Sequence, residues 1–148
     1  MDEKEALVYA IEAAKQSPCQ KSKRGVVIFS RQGQRPFGTG CNRPPGPYAC
    51  TGNTACRREC SKICVHAEQD ALLKAGCVVA CEMLHIIIDD QGKPVSSGHP
   101  SCWQCSRLIL AAGITTMWLY RDGGLVNYSA LSFHDTTLDY CALPRVLR

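Results

Sequence analysis

Two short segments, far apart in the chain, constrain it most: His66-Ala67-Glu68 and Pro100-Ser101-Cys102-Trp103-Gln104-Cys105. A Cys-x-x-Cys pair supplies two thiolates within reach of one tetrahedral metal, and a distant His supplies a third ligand. The fold must then carry His66 to Cys102 and Cys105. Three protein ligands leave one position open for water, which a catalytic zinc needs and a structural zinc does not. Zinc in such a site lowers the pKa of its water towards neutrality. Glu68 stands two residues after the His, where it can lie beside that water and move protons. A structural zinc knot of one His and several Cys is the rival reading, and it has no use for the acid.

The pattern around these segments is that of one α/β domain spanning residues 1–148. Glu3 to Gln16 reads as an amphipathic helix with Leu7, Ala10, Ile11 and Ala14 on one face, ended by Ser17-Pro18. Gly25 to Phe29 is a short β-branched run, a buried strand. A turn over 31–34 leads to a return strand over Pro36 to Asn42, weakened by Pro36 and Gly38. His66 to Ala75 is helical, with Ala67, Ala71, Leu72 and Ala75 on one face and Gly76 as its stop. Met83 to Ile88 reads as the clearest strand, fully apolar and therefore central, followed by a turn over 89–92. Cys102 to Ala112 is the next helix, with Leu108, Ile109 and Ala112 inward, and Ile114 to Tyr120 the next strand. Val126 to Phe133 reads as a short helix, and Tyr140 to Leu147 as an apolar end without an assigned role. Helix, strand, helix, strand implies a layered sheet with both ligand-bearing helices side by side on one face.

H-x-E followed by a later Cys-x-x-Cys is the signature of zinc-dependent nucleobase deaminases. From about Ala6 to Tyr120 the chain resembles the cytidine and deoxycytidylate deaminase superfamily, and most closely deoxycytidylate (dCMP) deaminases. The resemblance implies a three-layer α/β/α fold with a central mixed sheet of about five strands. It also implies a catalytic zinc on His66, Cys102 and Cys105 with Glu68 as the acid/base. Gly40 to Pro47 resembles the G-Y-N-G-x-P-x-G segment of dCMP deaminases, with Cys41 at the tyrosine and Arg43 at a glycine. This implies that Asn42 contacts the nucleotide; a turn residue capping its own backbone is the alternative. Lys23 and Arg24 are candidates to face a 5′-phosphate. Two departures bear on the substrate. Residues 93–100 are longer than the family's direct step from strand to cysteine pair, and Ser101 separates Pro100 from Cys102.

The eleven cysteines exceed what one catalytic zinc requires. Some microbial and phage dCMP deaminases hold a second, structural zinc through an upstream Cys and an insertion before H-A-E. By that resemblance Cys19, Cys50, Cys56 and Cys60 form a tetrathiolate, with Cys64 able to replace Cys60. Free buried thiols are the alternative. A disulfide framework is disfavoured because Met1 to Ala14 has neither the basic start nor the apolar core of a signal peptide, and a cytoplasmic location is expected. No stretch reaches the ~20 apolar residues of a membrane span.

The expected partner is a small nucleotide. A net charge of +4 and 7% aromatic residues do not describe an extended basic channel with stacking platforms, so nucleic acid is not the expected substrate. The family resemblance implies a homo-oligomer and control by dCTP and dTTP. Rival functions are deamination of another base, nucleoside or nucleotide (cytosine, cytidine, dCTP or a tRNA adenosine), a nucleic-acid editor, or a non-enzymatic zinc module.

Overall fold

The computed structural model describes residues 1–100 and 102–143. Ser101 and the apolar end from residue 144 lie outside them. The elements run α1 (Glu3–Lys15), β1 (Lys23–Phe29), β2 (Gly38–Cys41), α2 (Thr54–Ile63), α3 (Ala67–Lys74), β3 (Glu82–Ile88), β4 (Pro94–Val95), α4 (Trp103–Ala111), β5 (Thr116–Arg121), β6 (Gly124–Ser129) and α5 (Ala130–Tyr140).

The sheet is mixed and has six strands where about five were expected. Its order is β2-β1-β3-β5-β6, with short β4 pairing the end of β3. β3 is antiparallel to β1 and parallel to β5, and the parallel step carries α4 across one face. Alternation along the strands divides the core in two. Val27, Phe29, Leu84, Ile86 and Ile88 pack on Ala6, Ala10 and Ala14 of α1. Val26, Ile28, Met83 and Met117 pack on Ala67 and Ala71 of α3, Cys105 and Ile109 of α4, and Phe133 of α5. The expected three layers are present, and α3 and α4 share one face of the sheet.

Small residues set how closely the layers approach. A Cβ at Gly40 would run into the backbone of Ala67 and Ala71, so glycine lets β2 lie against the first turns of α3. Asp70, fully buried, completes that contact. Its carboxylate accepts from Cys41 N–H at 3.1 Å, Arg43 Nε at 2.8 Å and Lys74 Nζ at 2.6 Å.

Four expectations need correction. Val126 to Ser129 is strand, and the following helix starts at Ala130. The missed cue is Asp122-Gly123, whose φ values of 51° and 80° give a tight turn of the I′ kind joining β5 to β6. Residues 50–64, read through their cysteines alone, contain α2, which Asn53 caps by accepting from Cys56 N–H at 2.8 Å. Leu108 faces outward at 43% exposure, while Ile109 is fully buried. β3 is not apolar throughout, since His85 sits at its centre. Among the described residues no helix is long and apolar enough to cross a membrane.

Candidate active site

The two motif segments meet at two helix N-termini. His66 is the N-cap of α3 and Cys102 the N-cap of α4, with Cys105 one turn further on. Gln69 fixes the entry of α3 by accepting from His66 N–H at 3.0 Å, and Cys105 N–H donates to Cys102 Sγ at 3.4 Å. Helix N-termini carry partial positive charge, which favours thiolate at both sulfurs.

His66 Nδ1 lies 3.2 Å from Cys105 Sγ, which lies 3.1 Å from Cys102 Sγ. All three donor atoms fall within 4.8 Å of one another. A tetrahedron with Zn–S of about 2.3 Å and Zn–N of about 2.0–2.1 Å has edges of roughly 3.5–3.8 Å, so a small expansion admits the ion. His66 Nε2 lies 3.1 Å from Ser61 O at the end of α2. That contact selects the Nε2–H tautomer and leaves the Nδ1 lone pair for a metal. The donor set fits zinc. Protonation in the trio points the same way. The hydrogen bond with Cys105 holds the Cys102 thiol down to about 5 against its burial, and the same contact pushes Cys105 up. The Cys102 partner raises His66 to about 9. Three close donors thus compete for protons that a cation would displace.

Glu68 lies in the first turn of α3 with a largely buried side chain, 13% exposed. Burial alone would raise its pKa, but His85, the local backbone, His66 and Arg24 outweigh it and hold the carboxyl below its ordinary value. His85 is also held below its ordinary value, by burial and against the pull of the Glu68 charge. Burial thus disfavours the charge of each group, while each favours the charge of the other.

A cavity of about 380 Å³ opens over this group. This falls within the ~300–1,000 Å³ typical of small-molecule sites. Lys21, Ser22, Arg24 and Asn42 form part of its lining. Trp103 lines it too, under the Arg107 guanidinium at 4.7 Å from the ring centre. Ser97 to Pro100 belong to the lining as well. The long 93–100 segment is thus tied in twice, by β4 and by Ser97 N–H donating to Tyr120 O at 2.7 Å.

The other candidates divide. Asn42 reaches the lining, yet its amide serves the scaffold. It accepts from Arg24 N–H and Ser17 Oγ at 2.8 Å each and donates to Ser22 O at 2.9 Å. Lys23 lies instead in a neighbouring depression with Asp89 and Asp90. Of the second cysteine set, Cys50 and Cys56 are in sulfur contact at 3.7 Å. Cys19, Cys60 and Cys64 line the main cavity. Among the described residues only the His66 group brings three donors within 4.8 Å. Sequence reasoning missed His85, Ser61 and Ser97. His85 had a signal, an imidazole inside an apolar strand; a backbone carbonyl such as Ser61 O has none.

Residues 1–121 match the family model for the cytidine and deoxycytidylate deaminase zinc-binding region. The chain belongs to this family. Family membership and the ligand group together make it a zinc-dependent hydrolase that deaminates a cytosine ring. Among solved structures, it is similar to cytidine deaminase from Burkholderia pseudomallei, with TM-score 0.62, 18% identity, and coverage of 90% of this chain and 96% of that one. It is also similar to dCMP deaminase from the cyanophage S-TIM5 in complex with dCMP and dUMP, with TM-score 0.56, 21% identity, and coverage of 78% and 79%. Likeness at these identities is one of fold. No curated protein sequence matches the chain.

Proposed function

We propose that the protein converts dCMP to dUMP and ammonia. The observation that carries this reading is one cavity holding the Glu68 and zinc-ligand group together with the cationic side chains of Lys21 and Arg24. Two cations beside a buried reaction centre suit a small anionic nucleotide. The S-TIM5 enzyme, captured with dCMP and dUMP, supplies a precedent on the same fold.

His66, Cys102 and Cys105 hold the metal in this reading. Bound zinc supplies a Lewis acid that makes a water nucleophilic near neutral pH. Glu68 takes the proton that the water loses and delivers one to ring N3 as the new C4–O bond forms. It then takes the proton of the new C4 hydroxyl and passes it to the amino group as the C4–N bond breaks, the C4 carbonyl forms and ammonia leaves. Burial of Glu68 keeps these transfers out of bulk water. Arg24 pairs with the 5′-phosphate. Lys23 takes no part, because it lines the neighbouring depression.

A second zinc on Cys19, Cys50, Cys56 and Cys60, with Cys64 as the alternate to Cys60, is part of the same proposal. Its support is the gathering of five thiols. Burial first, and then the charges of Cys19, Cys60, Cys50 and Cys56, raise the pKa of Cys64. Such crowding is costly for thiols and favourable for a metal. A cytoplasmic homo-oligomer responsive to dCTP and dTTP completes the reading, with sedimentation in the presence of each nucleotide as its check.

The deciding experiment measures ammonia release by zinc-loaded protein from dCMP, dCTP, deoxycytidine and cytosine side by side, with Glu68→Ala as control. Preferred turnover of dCMP, lost in the variant while zinc stays bound, is the expected result. Preference for deoxycytidine would keep the chemistry and discard the phosphate assignment.

A further inference from the structure

Among the described residues two buried polar side-chain atoms lack any hydrogen-bond partner, His85 Nε2 and Ser97 Oγ. Both residues line the active-site cavity. Buried polar groups are nearly always satisfied, so an orphan beside a reaction centre calls for an explanation. His85 stands at the middle of β3, opposite Val26 on β1 and Leu119 on β5, and is 5% exposed. Its backbone is fixed by pairing on both sides. Its Nε2 lies 4.0 Å from Glu68 Oε1. That is too long for a hydrogen bond.

We propose that His85 is the positioning residue of Glu68: its Nε2–H takes hold of Oε1 when the site is engaged, and leaves the other oxygen free to carry protons. The inference rests on the deaminase reading. The chemistry needs such a hold. Glu68 must meet a water, a ring nitrogen and a leaving amine in succession, and a carboxylate free to rotate would lose alignment between transfers. General bases are commonly oriented by a third group behind them, and His85 occupies that place here. An ionised carboxylate only accepts, so the oxygen facing Nε2 favours the donor at that nitrogen whatever the charge of the ring. A closing movement of about 1 Å by Glu68 would bring the pair to ordinary hydrogen-bond distance.

The test compares His85→Leu with His85→Gln, whose amide N–H can take the place of Nε2–H, both as zinc-loaded full-length protein. His85→Leu should lower kcat at least about tenfold with zinc content and KM little changed, and His85→Gln should recover most of that loss. Equal kcat for the two variants, at any level, would overturn the proposal, because a residue that only packs gains nothing from the amide. A second readout needs no turnover. In ¹⁵N-labelled, zinc-loaded protein, His85 should show a slowly exchanging Nε2–H that is lost in Glu68→Ala. A signal unchanged by that substitution would also overturn the contact. Should the protein fail to turn over any cytosine compound, the substrate assignment would fall while the imidazole signal still decided the pairing.

Discussion

Two groups of cysteines sit within one molecule and are built differently. Cys102 and Cys105 stand on α4, a helix that buries Cys105, Ser106 and Ile109 against the sheet. Their partner His66 caps α3, which buries Ala67, Asp70 and Ala71. The core places these donors before any metal arrives. Cys56 and Cys60 stand on α2, which buries none of its residues. Apart from the Cys50 and Cys56 contact, that second group is a neighbourhood and not yet a coordination sphere. The difference teaches where preorganisation comes from. A catalytic centre must hold its geometry through a reaction, so its ligands belong on packed elements. A structural metal can itself supply the order that its ligands lack.

The sharpest way to break this comparison is to remove a ligand from the packed group. Cys105→Ser should release the catalytic zinc and abolish turnover, falling below even Glu68→Ala, for which a general acid/base loss of ~10²–10⁴-fold is expected. Elemental analysis and ammonia release check both halves. Retention of that zinc with activity would mean that the preset geometry is not what holds the ion. Next in size is Cys56→Ser. It should drop zinc content from two equivalents per chain to one, raise amide exchange along α2, and leave the His66 site loaded. If zinc content starts at one equivalent and α2 is protected regardless, the second group consists of free thiols.

The third prediction concerns what lies under the first group. Asp70 is fully buried at the junction of β2 and α3. Burial works against its charge, but Lys74, the Cys41 N–H and Arg43 prevail and hold the carboxyl below its ordinary value. A depressed folded-state pKa stabilises the protein above the unfolded Asp value of about 3.9, and that contribution is lost as pH falls through the folded value. Asp70→Asn should therefore cost about 1–3 kcal/mol near neutrality, read from the urea midpoint. The gap from wild type should narrow below about pH 4. A gap independent of pH would assign the cost to packing and not to charge.

The same contrast explains what could be read from the sequence. His66, Glu68, Cys102 and Cys105 were readable because tetrahedral coordination dictates both residue type and spacing. The layers were readable because periodicity records burial on α1, α3, β1 and β3. α2 was not, since a helix that buries nothing leaves no apolar period, only the cap at Asn53. β6 was misread because its outer face is exposed and its residues do not alternate cleanly, although Asp122-Gly123 marked the hairpin. His85 and Asp70 matter through what they face, and a partner across the sheet is invisible along the chain. Lys23 and Arg24, adjacent in sequence, point to different depressions because neighbours on a strand alternate.

The smallest expected effect is the most direct check on α2. Its surface ion pairs are Glu59 with Arg58 and with Lys62, both at 3.0 Å. Exposed pairs of this kind are screened by salt and contribute little. If thiols and their metal hold α2, then Glu59→Ala should leave the unfolding midpoint and the amide exchange of α2 unchanged in zinc-replete protein. The same substitution in protein stripped of the second zinc should speed that exchange, because the pairs then carry a larger share of the helix's support beside the Asn53 cap and the Arg57 contact with Gln20 O. Unravelling of α2 by Glu59→Ala with zinc present would reverse the comparison. The helix would then be organised by its surface charges, and the cysteines would be passengers on it.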